Sequence, residues 1–489
     1  MKHEVIEYIP FLSATDLLEK IHTGKLSIEK VVLSMLEQIK KYNPVINAIS
    51  DMRPEADIIL EAREKDKLLK QGIILGALHG LPMTVKDGFH VKGLKTSNGH
   101  PFYRNHIADE DAELVKRLKD SGAIIMGKTN LPLFSLDWQT TNSWFGQTNN
   151  PYDTTRVPGG SSGGSAAALS MGFTPLELGS DVGGSIRVPS HFCGVCGIRT
   201  TEQALSNRGQ FKFPGRPQGH RMLTVAGPMA RNVDDLLLAM PVLWDHKRLL
   251  SEIPPVDFNS SSWNGEKLRI AYSLTRFNME MDPEYVALIA DFIAKLPSDG
   301  HFLKEDHPAY DANLAYQLNG VLTGHGLDAS SPAPSFMTKL FFYFFLLFKF
   351  RDFKWVGGIW KGIGMSVGNY MRALDEKEKI ADRFTEFFSQ YDIWITPVAS
   401  IPAFKHQKTG KPFIVNGKKI SYTDAIGSFN FDTSIGGHPI VVIPLGQTKE
   451  GLPVGICIHG KKWTDKKLLE IARYLERFTE RFKIPDMNN

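Results

Sequence analysis

Apolar positions recur along this chain with two periods, one helical and one extended, and the places where the period changes outline its elements. Leu17, Leu18 and Ile21 share one helical face just after Ser13-Ala-Thr-Asp, a helix-start signature. A second helix is predicted from about Ser27 to Lys41, with Val31, Val32, Leu36 and Ile39 turned inward. A charged helix over 61–71 leads to an extended stretch at 75–85 that Gly and Pro punctuate. Residues 111–121 read as helix and 123–126 as a short buried strand. Residues 227–236 read as a loop running into a helix with Asn232 near its start, and 268–272 as strand. Helical spacing returns at 283–296, a buried strand is predicted at 440–445, and a closing helix with charge on its exposed side at 465–482.

With 489 residues and 42% hydrophobic content, the chain can build one large α/β domain or two ordinary ones. The polar, Pro- and Ser-bearing stretch at 250–267 is the best place for a seam. A net charge of +4 is small for this length and argues neither for nor against nucleic acid. Cys193, Cys196 and Cys457 make no disulfide framework, and the Cys-x-x-Cys pair at 193–196 lacks a second pair to complete a zinc site. Residues 1–10 are charged and lack an apolar core, so no signal peptide is expected there.

Periodicity fails over 159–200. Gly-Gly-Ser-Ser-Gly-Gly-Ser fills 159–165, Gly-Ser-Asp-Val-Gly-Gly-Ser-Ile-Arg-Val-Pro fills 179–189, and Phe-Cys-Gly-Val-Cys-Gly-Ile-Arg fills 192–199. Glycine loses more backbone entropy on folding than any other residue, so such clusters mark unusual dihedrals or a backbone that something must approach closely. They flank a small-residue run at 166–171 suited to a tightly packed helix. A cap and a turn beside that helix would bring Ser161, Ser162 and Ser185 into one cleft. Ser185 could then be a nucleophile with the amides of Gly183 and Gly184 turned to a developing oxyanion. Plain structural turns are the alternative; a phosphate loop is disfavoured because no Gly-Lys-Ser/Thr follows. A serine needs a base, and neither cluster holds a histidine. Lys86 ends the apolar-to-polar transition at 84–88, where desolvation would lower its pKa and make it a proton acceptor.

Together these residues resemble the amidase signature family of serine hydrolases. The Lys-Asp pair at 86–87, Ser-Ser at 161–162, Asp-x-Gly-Gly-Ser-Ile-Arg-x-Pro from 181 and Phe-Cys-Gly from 192 occur in order, with 24 positions between Ser161 and Ser185. The resemblance implies an α/β fold: a single large domain over 1–489, with a twisted mixed β-sheet covered by helices on both faces. Its catalytic core would occupy about 60–230 and 390–482, with a variable insertion at about 330–368. It implies Ser185 as the acylated nucleophile, Ser161 as a bridging serine on a cis peptide bond and Lys86 as the base. The amides of Val182, Gly183, Gly184 and Ser185 would form the oxyanion hole, with Ser162, Asp181 and Arg187 in support and no metal or organic cofactor. Residues 130–138, with Ser135 and Trp138, resemble the family segment that lines the acyl pocket; ordinary core is the alternative. The loop at 206–221 would border the mouth.

One segment departs from a plain soluble enzyme. Leu-Phe-Phe-Tyr-Phe-Phe-Leu-Leu-Phe at 340–348 is followed by Lys349, Arg351 and Lys354 among Phe350, Phe353, Trp355 and Trp360. Nine apolar residues cannot span a bilayer, which takes about 20, but aromatics flanked by cations suit its interface. The expectation is a cytoplasmic, peripheral enzyme whose partner is a small-molecule amide with a hydrophobic acyl group rather than nucleic acid. In chemistry and composition it resembles the fatty acid amide hydrolase branch. Two buried helices, a lining of the substrate channel, or a homodimer interface are the alternatives for 335–365. For the whole chain they are the glutaminase subunit of a tRNA-dependent amidotransferase, which has the same triad, and a non-catalytic, membrane-associated relative.

Overall fold

The computed structural model describes residues 8–212, 222–244, 250–275, 279–330, 335–350 and 352–486. Residues 1–7 of the charged amino terminus, 213–221 of the mouth loop and Arg351 lie outside them. The strands in chain order are β1 (Ile49–Met52), β2 (Pro82–Lys86), β3 (Ile124–Thr129), β4 (Thr141–Asn142), β5 (Gly146–Gln147), β6 (Leu176–Asp181), β7 (Cys196–Arg199), β8 (Val225–Ala230), β9 (Arg269–Tyr272), β10 (Phe302–Glu305), β11 (Ile393–Pro397), β12 (Phe413–Val415), β13 (Lys418–Ile420), β14 (Ile440–Gln447) and β15 (Pro453–Gly460). Eleven of them form one mixed sheet in the order β1-β3-β2-β6-β8-β7-β14-β15-β11-β9-β10, while β4–β5 and β12–β13 pair apart from it. The sheet continues across the suggested seam at 250–267. At its heart β2 runs parallel to both β3 and β6, and every residue of these three strands is buried. Burial at every position is the mark of strands covered on both faces, and here it extends to polar members such as Lys86, Lys128, Glu177 and Asp181.

Helices α1 (Ala14–His22) and α2 (Ile28–Ile46) start where the sequence places them, because Ser13 and Ser27 accept hydrogen bonds from the Asp16 and Lys30 amides. The second runs past the expected end at 41 and carries Pro44, whose missing donor costs a single bond in the last turn. Next come α3 (Glu55–Lys70), which begins upstream of 61, α4 (Glu113–Asp120), α5 (Gly163–Ser170) and α6 (Arg187–Cys193). Residues 227–230 are not loop: they belong to β8, central in the sheet. Gly227 sits there because a Cβ would run into the Ile198 carbonyl, so close packing rather than a turn selects it. Asn232 then caps α7 (Val233–Leu243) through the Asp235 amide at 2.8 Å.

The carboxyl half adds α8 (Pro283–Lys295), α9 (Ala312–Ser330), α10 (Ser335–Phe350), α11 (Phe353–Gly362), α12 (Val367–Gln390), α13 (Tyr422–Gly427), α14 (Phe431–Ile435) and α15 (Asp465–Leu475). The last is shorter than 465–482. Glu476 turns inward, buried, to accept a hydrogen bond from the Cys196 thiol, and the chain tightens into a 3-10 turn. One hydrophobic core covers the sheet, and a second collects Trp138, Val188, Phe192, Trp355, Ile359 and Phe431 around the carboxyl ends of its central strands. The aromatic segment at 335–365 is neither wholly buried nor wholly free. Leu346, Phe350, Trp355, Val356 and Ile359 pack into the second core, whereas Phe336, Leu340, Phe341, Phe344 and Phe348 stand in water.

Candidate active site

Lys86 is the last residue of β2, so its side chain emerges at the carboxyl ends of the three central strands, where open α/β sheets place their ligand sites. It is fully buried. Its Nζ donates to Ser161 Oγ at 2.6 Å and to Ser180 Oγ at 3.0 Å. Burial pushes the amine down to about 7, against the opposing pull of Asp181. Near neutral pH a large share of these amines is uncharged and able to take a proton.

Ser161 reaches Lys86 because the glycine cluster folds back before α5. Gly159 has φ +84°, and a Cβ on it would lie 2.7 Å from Pro189 Cα, so only glycine serves. Thr140 Oγ1 holds the Gly159 carbonyl at 2.8 Å, and the Gly160–Ser161 peptide bond is cis. Ser162 joins this loop to the next: its N–H donates to the Ser185 carbonyl at 3.0 Å and its Oγ to the Ser180 carbonyl at 3.3 Å.

The second loop turns sharply after β6. Gly184 takes φ +102°, where a Cβ would meet Asn430 Cγ at 2.7 Å. The Asp181 carboxylate organises the turn. It accepts the Gly184 amide at 2.9 Å and the Ile186 amide at 3.0 Å, and is gripped by Arg187 through Nη2 at 2.8 Å and Nε at 3.0 Å. Burial alone would raise this carboxyl, but the charges and hydrogen bonds of Arg187, with Arg199 behind, hold it well below the usual carboxylate range. Arg187 is anchored in turn by Thr433 Oγ1 and Ser434 Oγ, at 2.9 and 2.7 Å. One expected role is thereby corrected: the Gly184 amide serves Asp181 and not an oxyanion. The amides of Val182, Gly183 and Ser185 make no hydrogen bond among the described residues.

Ser185 is 9% exposed and lines, with Ser161, Ser180 and Gly183, the floor of a cavity of about 250 Å³. Its Oγ makes no hydrogen bond among the described residues, so the expected Ser161–Ser185 bond is not formed in this structure. A serine hydroxyl turns about a single bond, and apo catalytic contacts are often open until substrate arrives.

Ser135 and Trp138 both line the cavity. Ser135 has φ +58° and donates to Asn98 Oδ1 at 3.3 Å. Trp138 is buried, packs at a tilt against Phe431 with ring centroids 5.2 Å apart, and donates from Nε1 to the Gly183 carbonyl at 3.1 Å. Ser180 lay in a quoted motif without a role, and Asn319 and Leu327 come from α9, whose place over the site no local pattern announces. Phe350 and Trp355, by contrast, belong to the aromatic segment at 335–365, for which lining the substrate channel is one of the expected alternatives. Cys193 and Cys196 are free, buried thiols, each pushed up by burial and donating to Pro158 O and Glu476 respectively.

A family model described as Amidase matches residues 30–469. The chain is 32% identical over 478 residues to a glutamyl-tRNA(Gln) amidotransferase subunit of Alkaliphilus metalliredigens, covering 94% of each. Among solved structures it is similar, at 29% identity and TM-score 0.80, to a chain of an inhibitor-bound complex tied to the evolutionary origins of an s-triazine catabolic enzyme, covering 96% of this chain and 100% of that one. A fatty acid amide hydrolase shares the fold at 22% identity and TM-score 0.80, over 97% of this chain and 86% of that one.

Proposed function

This chain belongs to the amidase family, hydrolases that act on carboxylic amide C–N bonds, and from that premise we propose that it hydrolyses amides with an apolar acyl group through an acyl-enzyme on Ser185. One observation carries the reading: a buried lysine poised near pH 7 lies 2.6 Å from a serine on the floor of the cavity that Ser185 shares. Ser185 Oγ attacks the carbonyl carbon while its proton passes through Ser161 to neutral Lys86. The amides of Val182, Gly183 and Ser185 receive the oxyanion. The relay then runs backward to protonate the leaving amine, and water attacks the acyl ester to free the acid.

The cavity supports an apolar acyl group. Phe134, Leu136, Leu327, Phe350, Trp355 and Phe431 wall it, and its described lining holds neither lysine nor arginine. Asp137, on its rim, is already paired with Lys349 at 3.0 Å and accepts from Tyr422 at 2.7 Å. Each methylene buried adds about 0.8 kcal/mol, so kcat/KM on a series of straight-chain acyl anilides should climb roughly fourfold per carbon until the cavity is full. A flat or falling series would refute the apolar reading.

Sequence likeness favours a second reading, the glutaminase subunit of a tRNA-dependent amidotransferase, since the relative at 32% identity is such a subunit. Glutamine carries a carboxylate, and the described cavity wall offers it no cation. Ammonia release from L-glutamine by the purified chain, or co-purification of partner subunits, would decide for this second reading.

Access from a lipid surface follows from α10. Phe336, Leu340, Phe344 and Phe348 recur every four residues and form one stripe, 75% exposed at Phe336 and 70% at Phe348. Lys408 lies 4.6 Å from the Phe348 ring, and Lys339 4.5 Å from the Trp360 ring. Among the described residues no helix is long and apolar enough to cross a membrane, and α10 suits the plane of an interface, its inner residue Phe350 walling the cavity. The protein should float with vesicles containing anionic lipid, and the double change Phe344→Glu with Phe348→Glu should leave it in the soluble fraction. Wild type that stays soluble, or that dimerises through this stripe, would remove the lipid contact.

A further inference from the structure

We propose that Asn319 is a positioning residue for the oxyanion loop, holding the Val182–Gly183 peptide in its working orientation and linking that orientation to Trp355 on the helices that roof the cavity. The inference rests on the amide-hydrolysing role of Ser185. Asn319, on α9, is fully buried. Its Nδ2 donates to the carbonyls of Val182 at 3.4 Å and Phe431 at 3.3 Å, while its Oδ1 accepts from Trp355 Nε1 at 3.1 Å.

An indole N–H only donates and a backbone carbonyl only accepts. One orientation of the amide therefore satisfies all three partners, and Trp355 selects it; the flipped amide would set an oxygen against two carbonyls and a nitrogen against an N–H. Peptide planarity does the rest. In a trans unit the carbonyl and the following N–H point in opposite directions, so drawing the Val182 carbonyl to α9 directs the Gly183 N–H away from it. That N–H makes no hydrogen bond among the described residues, the condition of a donor reserved for an oxyanion.

The neighbouring peptide shows the contrast. Its Gly183 carbonyl accepts from Trp138 Nε1 and its Gly184 N–H donates to Asp181, so it is clamped at both ends. The Val182–Gly183 unit is held at its carbonyl by Asn319. The anchor is rigid, since α9 and α11 cross at glycines: a Cβ on Gly320 or on Gly358 would lie 3.1 Å from the other's Cα. Asn319 and Trp355 flank that crossing, so a substrate that displaces Trp355 would also loosen the loop.

The test uses the full chain and three measurements: kcat and KM on an apolar acyl anilide, affinity for the matching trifluoromethyl ketone, and affinity for the matching alcohol. Serine adds to the ketone to give a hemiketal oxyanion, whereas the alcohol fills the same cavity without one. Asn319→Leu keeps the branching and the side-chain heavy-atom count and removes the hydrogen bonds. It should lower kcat about 10- to 100-fold and weaken the ketone by a similar factor, with KM and alcohol affinity within about threefold. Trp355→Phe, which removes the indole donor and also trims the cavity wall, should lower kcat by roughly three- to tenfold and weaken the ketone more than the alcohol, and that difference decides the matter if Asn319→Leu fails to fold. Equal weakening of ketone and alcohol would show a plain cavity wall and overturn the proposal, as would unchanged kcat. A wild type that neither cleaves the anilide nor binds the ketone covalently would instead overturn the underlying reading of Ser185.

Discussion

Replacing Ser185 by alanine abolishes covalent labelling by a fluorophosphonate and lowers amide turnover by about 10⁴ to 10⁶, the range for losing a serine nucleophile. The fold should not notice. The Ser185 hydroxyl makes no hydrogen bond among the described residues, and the loop around it is held through Asp181, Arg187 and the Ser185 carbonyl, none of which the substitution touches. The melting temperature should therefore shift by no more than about 2 °C. Peptide mapping of the labelled wild type is the direct check. A label on any residue other than Ser185, or labelling that survives in Ser185→Ala, would remove the nucleophile from the mechanism and the acyl-enzyme with it.

Lys86→Met is expected to cost about 10³ to 10⁴ in kcat, since it deletes the proton acceptor and leaves Ser161 and Ser180 without their shared donor. The wild-type pH profile carries its own signature. Only the uncharged amine can accept a proton, so kcat/KM should rise tenfold per pH unit on the acid side and level off above about 7. Stability should follow the same group. Burial lowers the folded amine to about 7 from the ordinary 10.5, so between those values the unfolded chain holds a proton that the folded chain lacks. Below 7 both states are protonated and the penalty is constant; across the window stability climbs as pH rises. In urea melts at pH 6, 7 and 9, wild type should therefore gain on Lys86→Met from 7 to 9 and not from 6 to 7. A rate that stays near normal, or an acid limb well away from 7, would deny Lys86 the role of base.

The cluster proposed as catalytic was legible in the sequence because its constraints are local. Gly159 and Gly184 take left-handed dihedrals next to packed backbone, and no other residue would fit, so the need is written as glycine. Asp181 and Arg187 lie six positions apart on either side of one turn, and their grip spans that turn. The same locality explains a failure. Gly184 looked like an oxyanion donor because it stands in the right pair, but its N–H is claimed by a carboxylate three residues back. Nothing in a Gly-Gly-Ser string tells which amides a neighbouring carboxylate will consume. Element boundaries slipped where a long-range contact overrode a local cue, as at Gly227 within β8 and at Glu476 beyond α15.

By itself, then, the sequence determined the family, the helix starts at Ser13, Ser27 and Asn232, and which serines and which lysine are candidates for chemistry. Each of these is set by a residue type at a short, fixed spacing. Only the tertiary structure decided how far Lys86 lies from Ser161, which amides remain open, and what walls the cavity. Lys86 and Ser161 are 75 positions apart and meet through the sheet order. Asn319 and Trp355 arrive from a helix crossing whose register depends on two glycines in different elements. Residue type can be read one position at a time; burial, and with it the lowered pKa of a lysine, exists only once the rest of the chain has closed around it.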